Sequence, residues 1–172
     1  HFMSITSSTL HTSHINGRLK LSYRDFTPQA VMLTEYIAFA VRPESPLKTG
    51  KDLIESLRKD PASLSLAISS ALGGTHHISF GQPLLSGQVD IKKARIVAFN
   101  STGEAIAALL GGHVDVLSGG AVQIAPHVAS GRMRLLAVSS PQRLTGPLAS
   151  GPTWPELGYK GVFENWRGVI SP

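Results

Sequence analysis

A chain of 172 residues that is 42% hydrophobic and 16% charged can bury a core, which excludes bulk disorder. It has no cysteine, so disulfides, thiol catalysis and thiolate metal sites are excluded, and no apolar run approaches the ~20 residues of a membrane-spanning helix. The formal net charge of +5 comes from scattered basic residues, densest at Lys92-Lys93-Ala94-Arg95 and Arg132-Met133-Arg134, and aromatics make up only 6%; a solvated basic face fits this better than a nucleic-acid surface.

Residues 2–6 read as a strand and 7–16 as a Ser/Thr/His-rich turn. Asp25-Phe26-Thr27-Pro28 marks a turn, and the apolar run 30–41 reads as a buried strand that Arg42-Pro43-Glu44-Ser45-Pro46 breaks. Thr49 with Asp52 three residues on has the form of a capping box, and the helix over 53–59 puts Leu53, Ile54 and Leu57 on one face. A strand over 64–69 runs into Ser69-Ser70-Ala71-Leu72-Gly73-Gly74-Thr75-His76-His77 and then a helix ending near Gly87. Residues 94–99 form the next strand. Ser101-Thr102-Gly103-Glu104 reads as a second capping box, opening a helix through Leu110 that Gly111-Gly112 stops. A short strand at 114–117, a helix over 121–130 stopped by Gly131, and a strand at 135–139 follow. The stretch 141–159 is loop-rich with a short helix around Trp154-Pro155-Glu156-Leu157, and 162–170 is a final strand. Both ends read as strands cut short, so the chain is expected to be truncated and its lack of a secretion signal to carry no information.

From Leu53 to Ser139 helices and strands alternate, and the strands are too apolar to have a wet face. That pattern predicts an α/β fold on a mostly parallel sheet covered on both sides. Ligands in such folds sit at the carboxyl ends of strands. Here three strand ends carry small polar residues: Ser69 and Ser70; Asn100, Ser101 and Thr102; Ser118, Gly119 and Gly120. The Ser70–Gly73–Gly74–Thr75 turn at a helix start predicts a nest of backbone N–H groups that binds a carboxylate or phosphate. The absence of a Walker lysine argues against nucleotide phosphate.

Other chemistries fit less well. His11 and His14, His76 and His77, and His113 with Asp115 are close in sequence, but they do not make a closed set of three or four metal ligands; surface or capping roles are expected, with no metal. No Gly-x-Ser-x-Gly elbow is present, Ser45-Pro46-Leu47-Lys48 matches Ser-x-x-Lys only in form, and no acidic pair stands out as acid and base. Asn100-Ser101-Thr102 is formally a glycosylation sequon, though a cap and ligand turn suits it better. No enzyme is expected.

The order of several motifs resembles the solute-binding proteins of tripartite tricarboxylate transporters, the Bug family. These are Asp25-Phe26-Thr27-Pro28-Gln29-Ala30; Val41-Arg42-Pro43-Glu44-Ser45-Pro46-Leu47-Lys48-Thr49; Ser69-Ser70 with Gly73-Gly74-Thr75-His76-His77; Ala107-Ala108-Leu109-Leu110-Gly111-Gly112-His113-Val114-Asp115-Val116; Gly131-Arg132-Met133-Arg134-Leu135-Leu136; Gly151-Pro152-Thr153-Trp154-Pro155-Glu156-Leu157; and Trp166-Arg167-Gly168-Val169.

The resemblance implies a periplasmic, type II binding-protein-like fold that closes on a small carboxylate and passes it to membrane components of a transporter, with no cofactor. It implies one complete lobe (42–139) plus remnants of the other (1–41 with the hinge strand, and the return segment 140–172). By position, Ser69, Ser70, Gly73, Gly74 and Thr75 would hold the carboxylate. Ser7, Ser8 and Thr9 would contribute from the other lobe, and Asn100, Ser101, Thr102, Ser118 and Gly119 would line the distal end. Leu72, Asn100-Ser101-Thr102 and Ser118-Gly119-Gly120 depart from the usual residues of that family, which leaves the carboxylate open: a di- or tricarboxylate, an amino acid or an aromatic acid. With the family's first carboxylate loop absent, weak or no binding by this chain alone is expected, with dimerisation of the fragment in place of a monomeric parent. A ligand-sensing effector domain of a transcription regulator uses the same architecture and is the alternative.

Overall fold

The computed structural model describes residues 2–172. The strands are β1 (Ser4–Ser7), β2 (Thr27–Val41), β3 (Ser65–Ile68), β4 (Arg95–Ala98), β5 (Val116–Gly120), β6 (Arg134–Val138) and β7 (Glu164–Ser171). The helices are α1 (Thr9–Ile15), α2 (Gly50–Lys59), α3 (Thr75–Ser86), α4 (Thr102–Leu110) and α5 (Ala121–Ala129), with 3-10 turns at Tyr23–Asp25 and Gly146–Leu148.

Local chemistry places most of these ends. The Thr49 hydroxyl accepts from the Asp52 amide at 3.2 Å while the Asp52 carboxylate takes the Thr49 amide at 2.9 Å, so the capping box starts α2 as expected. Leu53, Ile54 and Leu57 are fully buried. The second box is displaced: the Ser101 hydroxyl caps the Glu104 amide, but the Glu104 carboxylate reaches the amide of Asn100 rather than that of Ser101.

Two local elements differ from expectation. The polar run after Ser7 is not a turn but α1, which continues until Gly17 takes a left-handed φ of +70°. The segment at Trp154 is a set of turns, not a helix, because Pro155 disfavours helical geometry at Trp154 and Gly158 turns left-handed at φ +89°.

Strands β4, β3 and β5 form parallel ladders. Next to β5 lies β2, antiparallel to it, and β6 pairs antiparallel with β2 in turn. The sheet order is therefore β6-β2-β5-β3-β4, in which β2 alone runs against the rest. The one-direction expectation holds for the strands that the helices connect, and the inserted β2 is what breaks their hydrogen bonding. Alternate residues feed the two faces. Ile37, Phe39, Val41, Leu66 and Ile68 join Phe80, Leu84, Leu53, Leu57 and Trp154 on one side. Ala38, Ala40, Ala67, Leu117 and Val138 meet Leu109 and Ile124 on the other. Phe39 stands edge-on to both Phe80 and Trp154, with ring centroids 5.3 and 5.1 Å away.

β2 belongs to two sheets. Its first part, Thr27 to Tyr36, pairs with β7, which also pairs with β1; its last part, Ile37 to Val41, sits between β5 and β6. Burial changes at the same place: residues through Thr34 are exposed and those from Ile37 on are fully buried. The expectation of a strand buried throughout is corrected here. Ser139 fastens the changeover. Its amide donates to the Ile37 carbonyl at 2.8 Å, its carbonyl accepts from Phe163, its hydroxyl accepts the Ile37 amide at 2.8 Å, and that hydroxyl donates to the Phe163 carbonyl at 3.0 Å.

Candidate functional site

The carboxyl ends of β3, β4 and β5 lie along one edge, where α3, α4 and α5 begin. Since β2 is antiparallel and Ile37 faces Gly120, the residues just before Ile37 reach that same edge. The chain order thus brings distant polar residues together.

The centre is a chain of contacts on Ser69, the residue after β3. Its hydroxyl lies 2.5 Å from His76 Nδ1 and 2.8 Å from Thr102 Oγ1. Ser118, fully buried, donates its hydroxyl to the His76 carbonyl at 3.4 Å. Gly119 lets Thr102 approach: a Cβ there would stand 3.2 Å from Thr102 Cγ2. Ser69, Thr102, Ser118 and Gly119 therefore converge with Thr75 and His76, the first residues of α3. Burial lowers the His76 pKa to about 4, and the positive charge of Arg167 adds to the effect. His76 is therefore neutral at pH 7, and its tautomer sets which partner donates to Ser69.

The Gly-Gly turn is more occupied than its sequence suggests. Gly73 has φ +81°, and its amide donates to His77 Nδ1 at 2.9 Å. The Gly74 amide donates to the Ala71 carbonyl at 2.8 Å, and Ser70 Oγ packs over Gly74. The open donors are instead the amides of Thr75, His76 and His77 in the first turn of α3, since the cap residue Gly74 supplies no side-chain bond. A Cβ at Gly73 would stand 2.6 Å from Asn16 Nδ2, so the end of α1 lies against this loop.

The remaining candidates are more peripheral. Asn100 and Ser101 are exposed and engaged in starting α4. Ser7 ends β1 opposite Arg167 of β7, and its hydroxyl accepts the Thr9 amide at 3.2 Å. Ser8 precedes α1 without capping it, and its buried hydroxyl has no partner; Thr9 is exposed.

Three residues of this edge carried no site expectation, and a fourth, His76, a different one. Glu35 and Asn165 are directly opposed across β2 and β7, and the fully buried Asn165 donates to Glu35 Oε2 at 3.3 Å. Arg167 Nη1 donates to Asn165 Oδ1 at 2.6 Å. The Glu35 carboxylate lies over Gly120, where any Cβ would collide with it. His76, expected among surface or capping histidines, is buried, while His77 does cap the loop. Its place one residue after Thr75 on α3 was the only available signal. Glu35, Asn165 and Arg167 gave none, because only the pairing of β2 with β7 joins them.

The Ser69–His76 contact has the outline of a nucleophile and its base. A base needs a pKa near the working pH and an orienting partner. His76 has the reverse: a depressed pKa, a cation nearby and, among the described residues, no carboxylate hydrogen-bonded to its ring. The arrangement suits holding a ligand by neutral hydroxyls and backbone amides.

Comparison with known proteins gives the same family. The model of the tripartite tricarboxylate transporter family receptor matches residues 2–172. A UPF0065 protein of Bordetella bronchiseptica is 31% identical over 123 residues, covering 72% of this chain and 35% of the relative. Among solved structures, MatC of Rhodopseudomonas palustris with bound malate superposes with a TM-score of 0.80 at 24% identity, over 99% of this chain and 57% of that one. A second R. palustris protein, with adipate, gives 0.72 at 27% identity, over 86% and 48%. The chain thus spans little more than a third of its curated relative and about half of the solved ones. With a family model matching from residue 2 to the last residue, this chain belongs to the tripartite tricarboxylate transporter receptor family, whose fold is that of a solute-binding receptor.

Proposed function

We propose that this chain is part of a periplasmic solute-binding protein that captures a small carboxylate and delivers it, unchanged, to the membrane components of a tripartite transporter. The observation that carries this reading is the uncapped first turn of α3, whose amides open beside Ser69, Thr102 and Ser118. Helix N-terminal amides favour an anion, and a ring of neutral hydroxyls orients it without reacting. The ligands named for the two R. palustris relatives, malate and adipate, are both dicarboxylates, which supports the class.

In this reading residues 42–139 form one lobe, 1–41 and 140–172 belong to the other, and β2 with Ser139 is the hinge between them. Ser7, Ser8 and Thr9 enter from the opposite side as the lobes close. The open lobe-one surface makes binding by this chain weak, on the order of millimolar, and gives it a face for a second copy, while the whole protein works as a monomer.

The test is a two-dimensional amide NMR titration of the chain with sodium succinate against sodium chloride of equal ionic strength. Succinate is expected to move the amide resonances of Thr75, His76 and His77 saturably, and chloride to leave them in place. Equal movement with both salts, or movement elsewhere only, would contradict the assignment.

A further inference from the structure

The Glu35–Asn165–Arg167 array is built more firmly than a surface ion pair. Asn165 is fully buried between its neighbours, holding Arg167 Nη1 at 2.6 Å and Glu35 Oε2 at 3.3 Å. Arg167 Nη2 and Glu35 Oε2 are 3.8 Å apart, an ion pair too long to be a hydrogen bond. Nη1 also reaches the Trp166 carbonyl, at 3.4 Å. Every protein hydrogen bond of the guanidinium therefore uses one nitrogen. A guanidinium carries five donors in a planar fork, so the Nε and Nη2 edge is left with no hydrogen-bonded partner, with the Glu35 carboxylate as an ion-pair neighbour on its Nη2 side. That edge belongs to a side chain 36% exposed, on a groove of 680 Å³ whose other wall is Ala121, Val122 and Gln123, the start of α5.

This groove lies beside the α3 subsite. The Glu35 carboxylate covers Gly120, and two residues back along β5 the Ser118 hydroxyl holds the His76 carbonyl. Two strand residues span ~7 Å. Arg167 also faces Ser7 across the β1–β7 pair, and its charge is felt at His76. A fork fixed on one nitrogen and open along one edge matches the two oxygens of a carboxylate.

We propose that Arg167 is the specificity-determining cation of this cleft, its open edge receiving the second carboxylate of a dicarboxylate whose first lies on the α3 amides. Asn165 is a positioning residue that sets the plane of the fork, and Glu35 restrains it from the Nη2 side without hydrogen-bonding it. The proposal rests on the carboxylate-binding reading above and adds to it the residue that separates dianions from monoanions.

The test compares succinate with butyrate, which has the same four carbons and one carboxylate, on the chain and on its Arg167→Gln and Arg167→Lys variants. NMR titration reads affinity at the His76 and His77 amides, and spectral dispersion shows that each variant is folded. The unaltered chain is expected to favour succinate by on the order of tenfold to a hundredfold. Arg167→Gln should lose that preference with butyrate affinity unchanged, and Arg167→Lys should keep part of it. A folded Arg167→Gln variant that retains the preference overturns the role of Arg167. Equal affinity for both acids in the unaltered chain overturns it too, while leaving the α3 subsite standing. No response to either acid removes the carboxylate reading and this proposal with it.

Discussion

Burial of His76 against Ser69 makes one side chain a gauge of the whole cleft. Its pKa falls from 6.5 to about 4 because burial disfavours the charged ring, with Arg167 adding repulsion. In the unfolded chain it takes up a proton near pH 6.5; in the folded chain it resists until near pH 4. The unfolded state therefore binds more protons between those values, so stability drops as pH falls through this window and levels off below it. The loss attributable to His76 is about 3 kcal/mol. Urea denaturation at pH 7 and pH 4.5 checks this: His76→Gln should flatten the dependence, and an unchanged slope would show that the ring is solvated. Gly73 is a second diagnostic residue. Its φ of +81° is costly for any residue with a Cβ, so Gly73→Ala should destabilise the chain by about 1–2 kcal/mol in the same assay. Asn16→Ala should not restore the loss, because the strain is in the backbone rather than in the contact. Ser69, Thr75, Thr102 and Ser118 were legible as candidates because small polar residues at strand ends follow a general rule of α/β sheets. His76 was not legible as buried: the adjacent pair His76 and His77 suits surface or capping roles, and only the packing of α3 on β5 buries the first of them.

At the scale of elements, β2 is the piece on which the rest depends. One strand supplies the antiparallel centre of the main sheet and half of the second sheet, and Ser139 ties the changeover with bonds from both its backbone and its side chain. Ser139→Ala leaves the Ile37 amide and the Phe163 carbonyl each short of a partner in a buried place. The expected cost is about 2–3 kcal/mol by chemical denaturation; a loss near zero would mean that β2 and β7 hold the changeover unaided. The alternation of helices and strands was readable, and so were the two helix starts at Thr49 and Ser101. The insertion of β2 between β5 and β6 was not, since no local pattern records which distant strand a segment pairs with. For the same reason Arg167 passed as one residue of a Trp166-Arg167-Gly168 motif: its role depends on Asn165 and Glu35, and Glu35 lies 130 residues away from Asn165.

Taken whole, the molecule has one well-closed part and one open part. Val31, Met32 and Leu33 are 69%, 63% and 53% exposed, on both faces of the first half of β2. Near them a cavity of 430 Å³ is walled by apolar residues including Leu10, Phe26, Trp166 and Ile170. Exposed apolar strand surface favours association. Sedimentation velocity is expected to show the chain growing heavier with concentration, and Val31→Lys with Leu33→Lys to suppress that growth; a monomer at all concentrations would contradict it. The most direct test is a crystal structure of the chain grown with succinate. It should show one carboxylate about 2.9 Å from amides of the first turn of α3, with the other facing Arg167. Succinate bound away from α3, with those amides left to solvent, would show that the first turn of α3 is not the carboxylate site.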